Sequence, residues 1–474
     1  MFSKIKLSSD TRQTLRFIES LAEVTVFSVI YMLIYHFLFA DNTFPQTIAL
    51  GNVILYGIYF FLTWILIKNS DGFEFGNLKV SELCVAQWIG LGITNVITYL
   101  QLCLIANKLI NPLPLIILFI IQFVLTMLFA IVFSFIHRKL YTAYKMIMVF
   151  GTDNAVGMKI KMDNKRQHYK VSELISAEKG YDEICRQISK YEAVIINDVE
   201  PKLRNDLIKY CYEHQIRTYV VPKLTDIIVR GAIPVNAFDT PMLLIKSTGL
   251  NIGQRFVKRA MDIAISLIGV ICASPIMLLI ALAIKAEDKG PVFYKQKRAT
   301  IGGKEFDILK FRSMIVNAEA AGLSIPATGN DPRITKVGRI IRATRLDELP
   351  QILNILKGDM SIVGPRPERV EHVKEYGEEI PEFAYRLKVK GGLTGYAQIY
   401  GKYNTSAYDK LRLDLMYIEN YSIFLDIKLI IMTVRILLSK ESTEGFDVAK
   451  RNEEKLNSML RKLHRDGKID TDEE

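Results

Sequence analysis

The sequence predicts α/β domains joined to a membrane α-helical bundle. Half of its 474 residues are hydrophobic and the mean hydropathy is +0.18, a composition too apolar for an ordinary soluble protein. Apolar runs long enough to cross a bilayer are concentrated in the first 140 residues. Beyond them, short apolar strands alternate with amphipathic stretches at helical spacing, which is typical of α/β domains. A chain of this length has room for two or three domains.

Four apolar segments predict a transmembrane domain over residues 1–140. Each is close to the roughly 20 residues that a membrane helix needs. Lys and Arg lie before the first segment, between the second and third and after the fourth, whereas the other two connections contain only Lys108. By the positive-inside rule, the N-terminus and the chain after Arg138 therefore face the cytoplasm. The four segments are 21–39, 48–67, 84–105 and 113–136.

Three ionisable residues, Glu19, Glu23 and His36, lie near the first apolar segment. An ionisable residue inside a bilayer is by default a candidate for a functional site. The alternative is that these side chains lie at the membrane interface or contact neighbouring helices, and we favour that interpretation.

Residues 145–240 predict a small Rossmann-like domain. Apolar strands at 146–150, 193–196 and 218–221 alternate with helical stretches. Residues 151–157 read GTDNAVG, which is not the GxGxxG fingerprint of dinucleotide-binding domains. A structural or regulatory role is therefore favoured over cofactor binding. The missing fingerprint motivates the hypothesis that this domain mediates a homodimer.

A fifth apolar run, residues 263–284, contains no charge in 22 positions. Its length alone would predict another transmembrane helix. Basic residues flank it on both sides, however, at 255, 258 and 259 and again from 285 to 298. Ser274-Pro275 lies at its centre, where proline removes a helical hydrogen bond and serine can satisfy the freed carbonyl. We predict a broken, re-entrant helix over 252–287; the alternative is a kinked transmembrane helix.

The adjacent carboxylates Asp347 and Glu348 dominate the chemistry that the sequence offers. Arginines precede them, and the rigid turn 364–367 (GPRP) follows. One carboxylate could attack phosphorus, the second could hold a divalent cation, and arginines could neutralise phosphate oxygens. The alternative is that an acidic pair just before Leu349-Pro350 caps a helix. Residues 285–345 contain 13 Lys and Arg against 6 Asp and Glu, which favours phosphorylated substrates or anionic lipid as partners.

Further motifs surround this pair. They are 310–314 (KFRSM), 347–351 (DELPQ), Asn354, 357–361 (KGDMS), 363–368 (VGPRPE), and 393–395 (LTG) with Gln398. Together they closely resemble the signature of the bacterial sugar transferases, which are polyprenyl-phosphate hexose-1-phosphate transferases, also called phosphoglycosyl transferases. The resemblance extends over about residues 254–440. The sequence departs from the family pattern at Gly391-Gly392, where Pro-Gly is usual, and this predicts a looser turn.

The resemblance implies a reaction. A hexose 1-phosphate passes from a UDP-sugar to undecaprenyl phosphate and UMP is released, as the first membrane step of capsular polysaccharide, exopolysaccharide or O-antigen assembly. Asp347 would be the nucleophile of a phosphosugar-aspartyl intermediate, Glu348 would help to bind Mg²⁺, and Lys310 would lie beside them. Glucose or galactose is the expected sugar. The candidate substrate-binding residues are Arg298, Arg312, Arg342, Pro365, Arg366 and Pro367.

The resemblance also implies an architecture. Residues 288–440 would form a catalytic domain on the cytoplasmic face of the bacterial inner membrane, in contact with membrane lipid. The Ser-Pro break and a middle domain are typical of large family members. Residues 441–474 are highly charged and predict a largely disordered tail.

Two alternatives come from other functional classes. A non-catalytic membrane scaffold for polysaccharide assembly would predict damage to the acidic pair and its cationic neighbours, and both are intact. An NAD-dependent enzyme would need the glycine fingerprint that the middle domain lacks.

Nucleic acid is a weaker partner for the net charge of +11, because the positive charge flanks apolar segments. Five scattered cysteines without a CxxC argue against a disulfide framework or a zinc site.

Overall fold

The structure, a computed structural model, describes residues 9–38, 49–140, 143–152, 154–163, 169–237, 239–245, 249–316, 331–401, 405–438 and 469–470. The chain divides into two compact units. The first contains the residues up to Val221 together with those from Phe446 onward, and the second runs from Pro222 to Gly445. Each unit is built around its own clusters of buried apolar side chains.

Four long helices open the first unit: α1 (Ser9–Leu38), α2 (Ala49–Asn69), α3 (Val80–Ala106) and α4 (Leu113–Leu140). They pack in a ring, because α1 and α3 each contact both α2 and α4. Aromatic side chains fill part of the interior, where Tyr31 stacks on Tyr59 with ring centroids 3.9 Å apart. Each helix overlaps one of the four predicted segments. All four are long and apolar enough to cross a membrane.

The rest of the first unit is an α/β region around a mostly parallel sheet, as the sequence predicts. Its elements are β1 (Tyr144–Phe150), α5 (Asn154–Asp163), β2 (Tyr169–Ser176), α6 (Tyr181–Ile188), β3 (Ala193–Asn197), α7 (Pro201–Glu213) and β4 (Arg217–Val220). The strand order is β2-β1-β3-β4, all parallel, and a short antiparallel strand, Ile469–Asp470, lies beside β2. Every residue of β3 is buried, as expected for a strand covered on both faces.

The second unit combines short strands with helices of very different length. Its elements are α8 (Leu224–Arg230), β5 (Ile233–Ala237), β6 (Thr240–Leu244), α9 (Ile252–Asp288), β7 (Phe293–Ala299), β8 (Glu305–Phe311), α10 (Lys336–Ala343), α11 (Gln351–Lys357), β9 (Ser361–Val363), α12 (Val370–Glu379), β10 (Gly392–Thr394), α13 (Tyr396–Tyr400), α14 (Ala407–Glu419) and α15 (Ile423–Leu438). The strands pair in twos: β5 with β6 and β7 with β8 antiparallel, and β9 with β10 parallel. Of the predicted tail, residues 441–474, all but Ile469–Asp470 lies outside the described residues.

The fifth apolar run forms α9, a single helix of 37 residues with Pro275 inside it. Ser274 Oγ donates a hydrogen bond of 2.9 Å to the carbonyl of Ile271. That carbonyl is the one that Pro275 leaves without a donor, because proline has no N–H. The hydrogen bond expected of Ser274 is therefore present. The helical backbone continues through both residues and is long enough to cross a membrane, so the re-entrant path stays a prediction.

Buried polar contacts connect the first turns of α9 with the rest of the second unit. Lys258 Nζ lies 2.6 Å from Asp426 Oδ2, and the two side chains are 7% and 0% exposed. Tyr417 donates to the other oxygen of Asp426 at 2.8 Å. One turn further along α9, Asp262 accepts hydrogen bonds from the Ser361 hydroxyl and from the next backbone N–H, both at 3.0 Å. From the sequence, Lys258 is one of the basic residues that flank the apolar run. In the structure it forms a buried ion pair with Asp426.

We expect Asp426→Ala to lower the free energy of unfolding by roughly 3–5 kcal/mol, because it leaves the Lys258 ammonium buried without its partner. Replacing both residues, as Lys258→Met with Asp426→Leu, should recover most of that loss. The exposed pair of Lys297 with Asp307 provides the control, and Asp307→Ala should cost at most about 1 kcal/mol. Thermal unfolding in detergent measures all three; equal midpoints for the two single variants would contradict the anchoring role.

Candidate active site

The acidic pair lies in a sharp turn between two short helices. After α10 ends, Arg345 adopts a left-handed conformation with φ of 60°, and Leu346–Glu348 form one turn of 3₁₀ helix. The next helix, α11, begins after Pro350 and no side chain caps its N-terminus. The capping interpretation of the pair is therefore wrong. Both carboxylates are half-buried and available for other contacts.

Glu348 is held between two cations. Its Oε1 atom accepts hydrogen bonds from Lys310 Nζ at 2.8 Å and from Arg366 Nη2 at 3.1 Å. Burial alone would raise the pKa of this carboxyl, but the attraction of Arg366 and Lys310 outweighs burial and lowers the pKa to about 2. Glu348 is therefore a permanently ionised group at neutral pH. The structure brings together three of the residues that the sequence analysis selected.

Asp347 has a different environment from its neighbour. Among the residues that the structure describes, none donates a hydrogen bond or forms an ion pair with its carboxylate. Burial raises the pKa of Asp347 above its ordinary value of 3.8, with the negative charge of Glu348 adding to the effect and Lys310 and Arg342 opposing it. A carboxylate that no neighbour engages has its lone pairs available for attack on an electrophile.

A single amide aligns the strand that carries Lys310 with the helix that follows the acidic pair. Asn354 on α11 accepts from the N–H of Leu309 and donates to the carbonyl of Asp307, both at 2.9 Å. These are backbone groups of β8, the strand on which Lys310 lies. At the other end of α11, the guanidinium of Arg259 donates to the carbonyls of residues 355 and 356 at 2.6 and 2.7 Å. The motif residue Asn354 thus has a positioning role that its place in the sequence does not reveal.

Arg366 is fixed by its backbone, in the turn between Pro365 and Pro367. Arg386 Nη2 donates to the carbonyl of Arg366 at 3.0 Å, and the same guanidinium forms an ion pair with Asp414 at 2.7 Å. Both charged side chains are at most 3% exposed. The sequence analysis missed Arg386 and Asp414. Single charged residues within amphipathic segments carry no signal of burial, although Asp414 does lie on the inward face of α14.

Three glycines let the Arg366 turn approach its neighbours closely. A Cβ on Gly364 would lie 2.4 Å from the carbonyl oxygen of residue 390, and one on Gly392 would lie 2.1 Å from the nitrogen of Gly364. The turn is also hydrogen-bonded, because Gly392 N–H donates to the Pro365 carbonyl at 2.9 Å and Gly391 N–H to Thr300 Oγ1 at 3.2 Å. A proline at 391 could not make the second bond. The looser turn that Gly391-Gly392 predicts stays a prediction, although these hydrogen bonds tie the turn to its neighbours.

The remaining predicted substrate-binding arginines occupy different places. Arg298 donates to the Pro367 carbonyl at 3.1 Å, and its burial, together with the nearby charge of Arg366, lowers its pKa to about 10. It therefore adds to the positive charge around the turn. Arg342 lies in the last turn of α10, where its charge acts on Asp347. Arg312 is instead buried in an ion pair with Asp288 at the end of α9.

The donor set fits a divalent cation of the magnesium type. Mg²⁺ prefers oxygen ligands and commonly binds one or two carboxylates together with substrate phosphates. In the described part of the chain, Oε2 of Glu348 and both oxygens of Asp347 accept no hydrogen bond from protein. No group of three or more metal-ligating side chains occurs among the described residues. The two carboxylates could therefore supply only part of the ligands of a metal ion.

Comparisons with known proteins find relatives over the segment that contains the acidic pair. The family model described as bacterial sugar transferase matches residues 253–440. A UDP-N-acetylgalactosamine-undecaprenyl-phosphate N-acetylgalactosaminephosphotransferase of Aeromonas hydrophila is 44% identical over 187 residues, which are 39% of this chain and 44% of that protein. A UDP-glucose:undecaprenyl-phosphate glucose-1-phosphate transferase of Klebsiella pneumoniae is 39% identical over 272 residues, 56% of this chain and 57% of that protein.

A third relative is covered more fully. The UDP-glucose:undecaprenyl-phosphate glucose-1-phosphate transferase of Caulobacter vibrioides is 40% identical over 190 residues, which are 39% of this chain and 71% of that protein. The chain spans about half the length of the first two relatives. The matched segment contains Asp347, Glu348, Lys310 and Arg366. The chain belongs to the bacterial sugar transferase family.

Proposed function

We propose that this protein transfers a hexose 1-phosphate from a UDP-sugar to undecaprenyl phosphate and releases UMP. The observation that supports the proposal most strongly is that the two carboxylates of the acidic pair have different environments. Glu348 is neutralised by Lys310 and Arg366, whereas no residue that the structure describes pairs with Asp347 beside it. The names of the relatives, which act on UDP-sugars and undecaprenyl phosphate, support the same reaction class.

In the proposed mechanism the Asp347 carboxylate attacks the β-phosphorus of the UDP-sugar. The bond from that phosphorus to the bridging oxygen breaks, UMP leaves with the electron pair, and a phosphosugar-aspartyl intermediate, which is a mixed carboxylic–phosphoric anhydride, remains. An oxygen of undecaprenyl phosphate then attacks the same phosphorus, and the aspartyl carboxylate leaves. Lys310, Arg366 and Arg298 supply positive charge that lets an anionic nucleophile approach an anionic diphosphate.

We assign the metal role to Glu348, whose Oε2 atom accepts no hydrogen bond from the residues that the structure describes. Mg²⁺ bound there with the diphosphate would neutralise charge that develops on the phosphate oxygens. The donor sugar is left open between glucose, galactose and other hexoses. Two relatives of similar identity are named for N-acetylgalactosamine and for glucose, so likeness over this segment does not fix the sugar.

The proposed site of action is the cytoplasmic face of a bacterial inner membrane. Among the described residues, five helices are apolar and long enough to cross a bilayer, which supports a membrane location. We propose that α1 to α4 cross it and that α9 enters and leaves on one side, so that the acidic pair faces cytosolic nucleotide sugar. A homodimer formed through the Rossmann-like domain belongs to the same proposal, and a monomer in lipid particles by mass photometry would contradict it. In this proposal the reaction is the first membrane step in the assembly of capsular polysaccharide, exopolysaccharide or O-antigen.

Asp347→Asn should reduce UMP release by about 10³-fold or more, because an amide cannot replace the nucleophile of a covalent mechanism. The assay uses purified protein with undecaprenyl phosphate, Mg²⁺ and a panel of UDP-sugars. Asp307→Asn is the matched control, since Asp307 is an exposed carboxylate on β8 and its loss should leave the rate unchanged. Full activity of Asp347→Asn would remove the proposed mechanism. Inactivity of the folded wild type with every donor would favour the scaffold alternative.

Within the acidic pair, the rate of the first half-reaction should depend on the protonation of Asp347 and not on that of Glu348. As pH falls, this carboxyl takes up a proton at a pH above 3.8, while Glu348 stays ionised down to about 2. The burst of UMP from a UDP-sugar without lipid phosphate should therefore fall along a one-proton acid limb centred above pH 3.8. Rapid-quench measurement of the burst gives the profile. A limb centred below pH 3.8 would contradict the assignment.

The path of α9 is testable with single cysteines at its two ends. In a chain without its native cysteines, Ile252→Cys and Lys285→Cys each place an exposed thiol at one end of the helix. A re-entrant helix places both on the cytoplasmic side, so a membrane-impermeant thiol reagent should label both in inverted vesicles and neither in spheroplasts. Labelling of one cysteine from each side would show that α9 crosses the membrane.

A further inference from the structure

The four-helix bundle of the first unit contains two buried carboxylates that the proposed reaction does not use. Glu19 and Glu23 lie one turn apart on α1, and they are 5% and 0% exposed. Both therefore point into the bundle and not towards lipid or water. The sequence analysis favoured interfacial or helix-contact roles for these residues. Contact with neighbouring helices is what the structure shows, and the partners differ for the two carboxylates.

Glu19 has a partner that can be positively charged. Its Oε2 atom lies 2.7 Å from Nε2 of His137 at the end of α4, and the imidazole is 3% exposed. The other oxygen, Oε1, is buried and accepts no hydrogen bond within the described residues. The pair supplies at most one positive charge for its one negative charge, so His137 has no charge to spare for a second carboxylate.

Glu23 has only a neutral partner. Its Oε2 atom accepts a hydrogen bond of 3.0 Å from Gln87 Nε2 on α3, and the same amide nitrogen donates to the carbonyl of Gly72 at 2.8 Å. Both N–H groups of Gln87 are thereby used. The Oε1 atom of Glu23 is buried without a hydrogen-bond partner in the described part of the chain. An isolated ionised carboxylate at such a position would cost more than a folded bundle tolerates.

One proton placed between the two carboxylates would give both of their unpartnered oxygens a hydrogen bond. We propose that Glu19, Glu23 and His137 form a proton-binding site in the bundle, with Glu23 Oε1 protonated and donating to Oε1 of Glu19. The two unpartnered carboxylate oxygens then satisfy each other across one helical turn. Gln87 donates to the carbonyl oxygen of a neutral acid, and His137 donates to an ionised one. All three residues belong to the first unit.

Among the residues that the structure describes, the groups that face Glu23 offer no other source of positive charge. Along α1 the nearest ionisable residue is Glu19, and on α3 it is Cys84. On α4 it is His137, which is already engaged by Glu19. Arg16, the basic residue nearest in sequence, pairs with Glu74 at 3.1 Å. A metal cation such as Na⁺ is the competing occupant, because Gln87 and Ser134 also have buried oxygens without partners among the described residues.

Infrared spectroscopy of the full-length protein in lipid nanodiscs tests the proposal. At neutral pH the wild type should show the carbonyl stretch of a protonated carboxylic acid, and Glu23→Gln should lose it. Glu74→Gln is the control, because Glu74 lies at the same end of the bundle but pairs with Arg16, and it should keep the band. Isotope-labelled glutamate should shift the wild-type band, so the assignment to a glutamate does not require the variant to fold. Absence of a shifting band in the wild type would overturn the proposal.

The pH dependence of thermal unfolding separates the proton from a metal cation. Where native Glu23 keeps a proton that the unfolded chain has lost, wild-type stability should fall as pH rises, with a slope of about one proton. Glu23→Gln should lack this slope, and Na⁺ at fixed pH should leave both midpoints unchanged. A wild-type midpoint that rises with Na⁺ and depends on Glu23 would show that the site binds a metal ion instead.

Discussion

The candidate active site depends on the contact of one carboxylate with two cations. Lys310 and Arg366 both reach the same oxygen of Glu348, and they come from elements far apart in sequence. Their attraction offsets the cost of burying Glu348 and keeps it ionised. Both cations pair with Glu348 and neither pairs with the adjacent Asp347, so the lone pairs of Asp347 stay available. Without this contact, two neighbouring anions would repel each other and any anionic substrate as well.

Most of the second unit can be understood as support for that contact. Asn354 aligns the strand of Lys310 with the helix after the acidic pair. Arg386, paired with Asp414, holds the backbone of Arg366, and close glycine contacts keep the proline turn in place. These supports are buried and polar, so each one is costly unless it is fully paired. Such costs are consistent with a geometry that must be held within fractions of an ångström.

The sequence predicted the elements whose signal is local. Apolar runs located the long helices, and the motifs located Lys310, Asp347, Glu348 and Arg366. It could not predict pairings set by the tertiary fold. Lys258 looked like a flanking charge and is buried against Asp426, and Arg312 looked like a phosphate ligand and holds Asp288. The strand β2 was missed because its apolar positions are interrupted by Lys and Ser residues. A charged residue in the sequence can be exposed or buried in an ion pair, and only the tertiary fold shows which residue it pairs with.

The claim that Asp347 is the nucleophile is tested most directly by locating the covalent intermediate. Protein incubated with a UDP-sugar in the absence of undecaprenyl phosphate would be acid-quenched, digested and analysed by tandem mass spectrometry. The account predicts one hexose phosphate on the peptide that contains both carboxylates, with fragment ions placing it on Asp347. Modification of Glu348, or UMP release without any modified peptide, would contradict the account.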